Sequence, residues 1–125
     1  MYANISEYLG PWKEGKSAKS PKIWGPLYWA NFHISSISYP KNPTPVIRER
    51  MKHRILAIPY ELPCQICRIH ASAYIDGKRE DIEDIVSCRD SLFRFYVDFH
   101  NAVNARLGKP KWSYEQAYRH YSKAF

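Results

Sequence analysis

A chain of 125 residues with a formal net charge of +7 has the length of one domain and a strongly basic balance. Its apolar share of 45% and charged share of 25% are ordinary for a globular protein and argue against wholesale disorder. No apolar run approaches the about 18 residues of a membrane-spanning helix, and three cysteines are too few, and odd in number, for a disulfide scaffold of the secreted kind.

Residues 1–21 read as an extension. Gly10-Pro11 breaks any early helix, and Lys13 to Pro21 is polar, basic and rich in small residues, so mobility or loose docking is expected. Met1 to Pro11 lacks a basic segment followed by an apolar stretch, so no secretory signal is visible. The domain proper is expected over 22–125. From Ile23 the spacing of Trp24, Leu27, Tyr28 and Phe32 predicts a helix, with Trp29 and His33 one turn apart on one face. Tyr39-Pro40 and Pro43-Thr44-Pro45 end it.

Thr44 followed by Pro45 reads as an N-cap with proline at the first helical position. The second helix is expected from Pro45 to about Ile58, with Val46, Met51, Ile55 and Ile58 inward. Pro59 and Pro63 bracket a link. A third helix should start at Cys64 and reach about Tyr74, stopped by Asp76-Gly77. Residues 77–87 form a polar connection with room for one helical turn. A long helix follows from about Ser87 to Leu107, its apolar side carrying Leu92, Phe95, Tyr96, Phe99, Val103 and Leu107. Gly108 and Pro110 stop it, and Ser113 can cap a last short helix through Tyr121. No strand pattern emerges, so the expected fold is all-α, a helical bundle.

Cys64-Gln65-Ile66-Cys67 places two thiols three apart at a helix start. A helix N-terminus favours the thiolate, and the spacing lets the pair cycle between dithiol and disulfide. A zinc site is the competing reading, with Cys64, Cys67 and His70 as three ligands and Cys88 as a fourth. A thioredoxin-like fold needs strands around the motif, and none is read here. Aromatic residues make up 15% of the chain, which suits a flat ligand as well as a core. The basic balance suits an anionic partner, whether nucleic acid, a membrane surface or a phosphate-bearing cofactor, although the basic residues are scattered and form no dense arginine block.

Three blocks, in order, resemble the Erv/ALR FAD-linked sulfhydryl oxidases. They are Trp24-Gly25-Pro26-Leu27-Tyr28-Trp29 with His33, Pro63-Cys64-Gln65-Ile66-Cys67 with His70, and HNAVNARLGKPKW from His100 to Trp112. The compact size and the Trp24-Gly25-Pro26 opening look most like the minimal enzymes of large DNA viruses. The resemblance implies a four-helix bundle with a short fifth helix, a bound FAD, oxidation of client-protein thiols with electrons passed to dioxygen to give hydrogen peroxide, and a homodimer.

Residue by residue, the resemblance implies that Cys67 faces the flavin and that Cys64 is attacked by client thiolates. It places Gly25, Trp29, His33, His70, His100, Asn101, Val103, Asn104 and Tyr121 around the cofactor, and Arg106 and Lys109 at its pyrophosphate, where cationic contact is favourable. Taken singly, these residues have plainer uses. Trp29 can be core, the histidines structural, Arg106 and Lys109 complements to a helix dipole. Asn101 and Asn104 are poor mid-helix residues, so ligand contact or hydrogen bonding between helices should offset them.

Two family features are missing. A second disulfide would start at Val97, but no cysteine follows Trp112. A shuttle pair of tail cysteines is also absent. Clients are therefore expected to meet Cys64 directly or through a separate thiol protein. Cys88 is expected as a small buried or capping residue. No metal, membrane or nucleic-acid partner is implied. The expected setting is intracellular, the host cytoplasm or the virion if a virus encodes the chain. The alternative function is a non-enzymatic basic helical module that binds zinc or nucleic acid.

Overall fold

The computed structural model describes residues 21–125, and the expectation of a mobile extension falls almost wholly outside them. Six α-helices follow in chain order: α1 Pro21–Ile37, α2 Pro45–Glu61, α3 Gln65–Asp76, α4 Ile82–Ile85, α5 Arg89–Arg106 and α6 Tyr114–Tyr121. Short 3-10 turns at Arg79–Asp81 and Ser122–Ala124 adjoin α4 and α6. No strand occurs among the described residues. The four long helices form the bundle. α1 packs on α5 and α2 on α3, while α4 closes against α5 and α6 lies across α1 and α5.

The helix boundaries follow capping chemistry. Thr44 accepts from the Ile47 N–H with Pro45 in the first turn, as the sequence suggests. α6 starts with a full capping box between Ser113 and Gln116. α2, however, does not stop near Ile58. It runs through Pro59 to Glu61 and ends because Pro63 drives Leu62 into an extended conformation. Pro59 forfeits one backbone bond, and its ring is buried in the bundle. α1 begins at Pro21 and carries Pro26 inside it, early in the helix where few backbone bonds are lost. The 77–87 connection contains α4 and its 3-10 turn, a little more helix than the single turn expected.

One apolar cluster fills the bundle. Ile55 and Ile58 of α2, Ile75 of α3, Val86 of the link after α4, and Leu92 and Tyr96 of α5 are all at most 2% exposed. Phe32 of α1 stacks on Tyr96 with centroids 5.3 Å apart. The Tyr39 hydroxyl donates to the Val86 carbonyl at 2.8 Å, and Arg89 donates back to the Tyr39 carbonyl at 2.5 Å, which ties the α1–α2 link to the start of α5.

Two expected core residues, and Leu27 of the row that predicts α1, lie outside. Val46 is exposed, because nine residues separate it from Ile55, about two and a half turns, which puts the two on opposite faces. Leu107 is exposed because it sits beyond the last turn of α5 as its C-cap. Leu27 is exposed beside the inward row of Trp24, Tyr28 and Phe32.

A smaller cluster joins α5 to α6. Phe93, Val97 and Ala117 are buried together, with Ile37 packed against them. Val97, where the resemblance would place the first cysteine of a second disulfide, is 1% exposed, and the contact with α6 is apolar instead.

Candidate active site

Pro63 and the start of α3 set the first part of the site. Cys64 is the N-cap of α3, and its sulfur accepts from the Cys67 N–H at 3.3 Å. Cys64 and Cys67 are joined in a disulfide with Cα atoms 5.2 Å apart. Arg68 reaches back to donate to the Leu62 carbonyl at 2.7 Å, which holds the entry to the helix. Both cysteines are half-buried. Cys67 packs against the main core cluster, whose partly buried rim also includes Trp29 and Val103. The disulfide uses both sulfurs that the zinc reading needs, and the described residues hold no cluster of His, Cys, Asp or Glu suited to a metal.

Four rings from three helices form the second part. His33 and His100 meet Nε2 to Nδ1 at 2.9 Å across the α1–α5 contact. Trp29 stacks flat on His100, with centroids 4.0 Å apart and planes within 6°. Tyr121 of α6 stacks on His33 at 4.3 Å. Phe99 meets Trp29 edge-on at 5.2 Å and joins this group to Tyr74 of α3, on which it stacks at 5.1 Å. The helical spacing of Trp29 with His33 does place them on one face, as the sequence implies. The pairing of His33 with His100, far apart in the chain, is not readable from periodicity. His120 was not singled out from the sequence; it meets Tyr121 and Trp112 edge-on at 4.7 and 5.3 Å.

Asn101 and Asn104 are buried, and their side chains are committed to the α5–α6 loop. Asn101 donates to the Trp112 carbonyl at 2.7 Å and accepts from the Trp112 N–H at 2.9 Å. The Asn104 side chain donates to the Pro110 carbonyl at 3.3 Å, and the Asn104 backbone carbonyl accepts from the Lys109 N–H at 2.8 Å. Gly108 turns the chain there with φ of +70°, a left-handed conformation natural to glycine. These amides offset the poor helix propensity of asparagine by fastening the segment that carries α6. Val103 lies between them, half-buried on the core rim.

The remaining candidates are spread more widely. Arg106 and Lys109 are exposed at the end of α5 and form no ion pair among the described residues. A methyl group added at Gly25 would have no neighbour within 4 Å, so open space lies beside α1 there. His70 is exposed on the flank of α3. Cys88 is the N-cap residue of α5, half-buried, with its sulfur 3.3 Å from the Ser91 hydroxyl. That contact holds the thiol below its ordinary pKa.

Residues 26–122, nearly the whole described chain, match the Erv1 / Alr family. The chain belongs to that family. A protein of Invertebrate iridescent virus 6 whose name reads FAD-linked sulfhydryl oxidase is 45% identical over 93 residues, spanning 72% of this chain and 84% of that one. One of Invertebrate iridescent virus 3 with the same description is 39% identical over 105 residues, spanning 84% and 70%. The FAD-binding domain of Erv1 from Saccharomyces cerevisiae superposes with a TM-score of 0.77 at 25% identity, covering 86% of this chain and 99% of that domain.

The His33 and His100 imidazoles are held neutral. Burial, then the nearby His100 and His120, lowers His33 to about 3. Burial, then Lys109, lowers His100 to about 4. A histidine whose folded pKa is depressed takes up its proton in the unfolded chain first. The stability this neutrality contributes is full above about pH 6.5 and is lost as pH falls toward 4. We expect the thermal midpoint to fall between pH 7 and 4.5 by an amount reflecting a few kcal/mol. In His33→Phe about half of that fall should vanish, since His100 contributes a similar share. A midpoint flat across this range in the wild-type protein would contradict the assignment.

Proposed function

We propose that this chain is an FAD-linked sulfhydryl oxidase that makes disulfides in client proteins through Cys64 and Cys67. One observation carries the reading: a half-buried disulfide caps α3 while its second sulfur packs on the core that also supports Trp29 and Val103.

The residues present fit a flat, anionic cofactor. His33 is 1% exposed, yet its Nδ1 has no hydrogen-bond partner among the described residues, a cost that a ligand group would relieve. Trp29, His100, His33 and Tyr121 supply aromatic faces, and the neutral imidazoles add no positive charge beside them. Arg106 and Lys109, which form no ion pair among the described residues, lie at the helix end, where they would meet the pyrophosphate. Asn101 would act from behind, by holding the loop, since both ends of its amide are already engaged, while Asn104 donates to the same loop through Nδ2.

The thiol chemistry follows from the cysteine geometry. A client thiolate attacks Cys64 Sγ, the Cys64–Cys67 bond breaks, and Cys67 leaves as a thiolate. A second client thiolate then attacks the client sulfur of the mixed disulfide and Cys64 leaves. Its departing charge is stabilised by the Cys67 N–H and the N-terminus of α3. The client gains a disulfide, and the cysteine pair holds two electrons. Bound FAD supplies the two-electron acceptor for the reduced pair, with dioxygen as the final acceptor and hydrogen peroxide as product. Half-burial of Cys67 on the core side supports its role as inner sulfur.

The exposed Ile23 and Leu27, one turn apart on α1, support a homodimer. No helix among the described residues is long and apolar enough to cross a membrane. The viral relatives support an origin in a virus-infected cell, with action in the host cytoplasm or virion. One preparation tests these readings together. It should be yellow, consume oxygen and form peroxide with a dithiol peptide, and show twice the chain mass by light scattering. A colourless protein with stoichiometric zinc and no turnover would overturn the oxidase reading, and a chain mass equal to one copy would overturn the dimer.

A further inference from the structure

The disulfide sits where two helix ends meet. α2 ends at Glu61 and α3 starts at Gln65, with only Leu62, Pro63 and Cys64 between them. The N–H groups at the head of α3 favour a thiolate on Cys64, while the last carbonyls of α2 bring the negative end of a second dipole to the same link. α2 has no basic residue in its last turn, and Glu61 adds a carboxylate there. Two side chains from other helices meet these carbonyls. The Tyr28 hydroxyl of α1 donates to the Glu61 carbonyl at 3.1 Å, and Arg68 Nε of α3 donates to the Leu62 carbonyl at 2.7 Å. Leu62 is buried, so its carbonyl needs such a partner. The Arg68 backbone N–H also donates to the Cys64 carbonyl at 3.0 Å, so one residue grips the link on both sides of Pro63. Tyr28 brings a hydroxyl to this corner; Arg68 brings a full positive charge.

We propose that Arg68 is a positioning residue for the thiol chemistry: it locks the Leu62–Cys64 link to α3 and sets a fixed positive charge against the negative end of α2, so that Cys64 is a better thiolate and a better leaving group. The inference rests on the oxidase reading above and adds a residue to its machinery. Leu62 and Cys64 are about 7 Å apart at the extended rise per residue. A unit charge at that range in a half-buried setting changes an ionisation constant on the order of tenfold. Arginine keeps its charge whatever its other N–H groups meet. The charge is needed when the second client thiolate displaces Cys64 from the mixed disulfide. The client–Cys64 bond then breaks, its electron pair stays on Cys64 Sγ, and negative charge appears there. The other titratable groups at this corner do not offset it. Glu61 and Cys67 are negative when ionised, Tyr28 is committed to the Glu61 carbonyl, and His70 is exposed nearly two turns along α3.

The test reads Cys64 by itself, in Cys67→Ser, Cys88→Ala holoenzyme, through the pH dependence of its alkylation by iodoacetamide. Adding Arg68→Met should raise the pH midpoint by about one unit, the tenfold loss of ionisation given above. Arg68→Gln can still donate to the Leu62 carbonyl without charge, and should raise the midpoint as far. Arg68→Lys keeps the charge and should stay within about 0.3 units of the parent. In the otherwise wild-type holoenzyme, oxygen uptake with dithiothreitol at pH 7 should fall about threefold in Arg68→Gln and recover in Arg68→Lys. Flavin absorbance after gel filtration shows which variants are folded; if Arg68→Met loses its FAD, the Gln and Lys variants decide. A midpoint unmoved in Arg68→Gln overturns the proposal. So does a midpoint that rises as far in Arg68→Lys as in Arg68→Gln, which would make hydrogen-bond geometry the cause in place of charge. No oxygen uptake by the wild type would instead sink the oxidase reading, while the alkylation midpoints still decide the role of Arg68.

Discussion

Cys67→Ser is expected to lower dithiol-dependent oxygen uptake by on the order of 10³-fold or more while FAD stays bound, because the pair acts as a unit and neither sulfur has a substitute. Cys64→Ser should be equally inactive, so turnover alone cannot tell the sulfurs apart. Trapping can. In a Cys88→Ala background, which removes the other reactive thiol, the Cys67→Ser protein should capture an oxidised client peptide as a lasting mixed disulfide on Cys64. Cys64→Ser should capture little, since Cys67 packs against the core. On a non-reducing gel the first variant gains the mass of the peptide. If Cys64→Ser were the one that trapped, the inner and outer sulfurs would be reversed.

Asn101→Ala should be the most destabilising polar substitution in the site. It removes two hydrogen bonds to the Trp112 backbone from a side chain that is 8% exposed. Leaving these partners unmet costs about 2–4 kcal/mol. For a domain of this size that is a fall of roughly 10 °C in thermal midpoint. Asn101→Asp can still accept from the Trp112 N–H but cannot donate to its carbonyl, so it should lie between. The loop holds α6, and α6 holds Tyr121 over His33. FAD retention should therefore fall in parallel, read as flavin absorbance after gel filtration. A midpoint within about 1–2 °C of wild type would show that the amide contributes nothing.

The same asparagines show how far sequence reasoning reaches. Capping residues and proline placement fixed most helix starts, since those signals act locally: Thr44-Pro45 and Ser113 behave as their chemistry demands. The Cys64–Cys67 pair and the shared face of Trp29 and His33 were readable for the same reason. Asn101 and Asn104 could be recognised as residues in need of a partner. The partner itself, a loop six to eleven residues on, is set by how Gly108 turns the chain back. Long-range contacts such as His33 with His100, and the choice of Val46 or Ile55 for the core, depend on how whole helices rotate against each other. A period shows which residues share a face and leaves open which face is inside, as exposed Leu27 beside inward Tyr28 demonstrates.

The α5–α6 junction has a consequence for a protein that handles thiols. Its fastenings are the Val97–Ala117 contact, two asparagine amides and a stacked tyrosine. None of these can be reduced. Cys64–Cys67 is the one crosslink in a chain whose third cysteine is free, and it closes a loop of only a few residues, which constrains the unfolded chain little. A reducing cytosol, or an excess of client thiols, can thus empty the active disulfide without loosening the helices around it. Working chemistry and architecture are held by different kinds of bond, and only the first responds to the redox state of the surroundings.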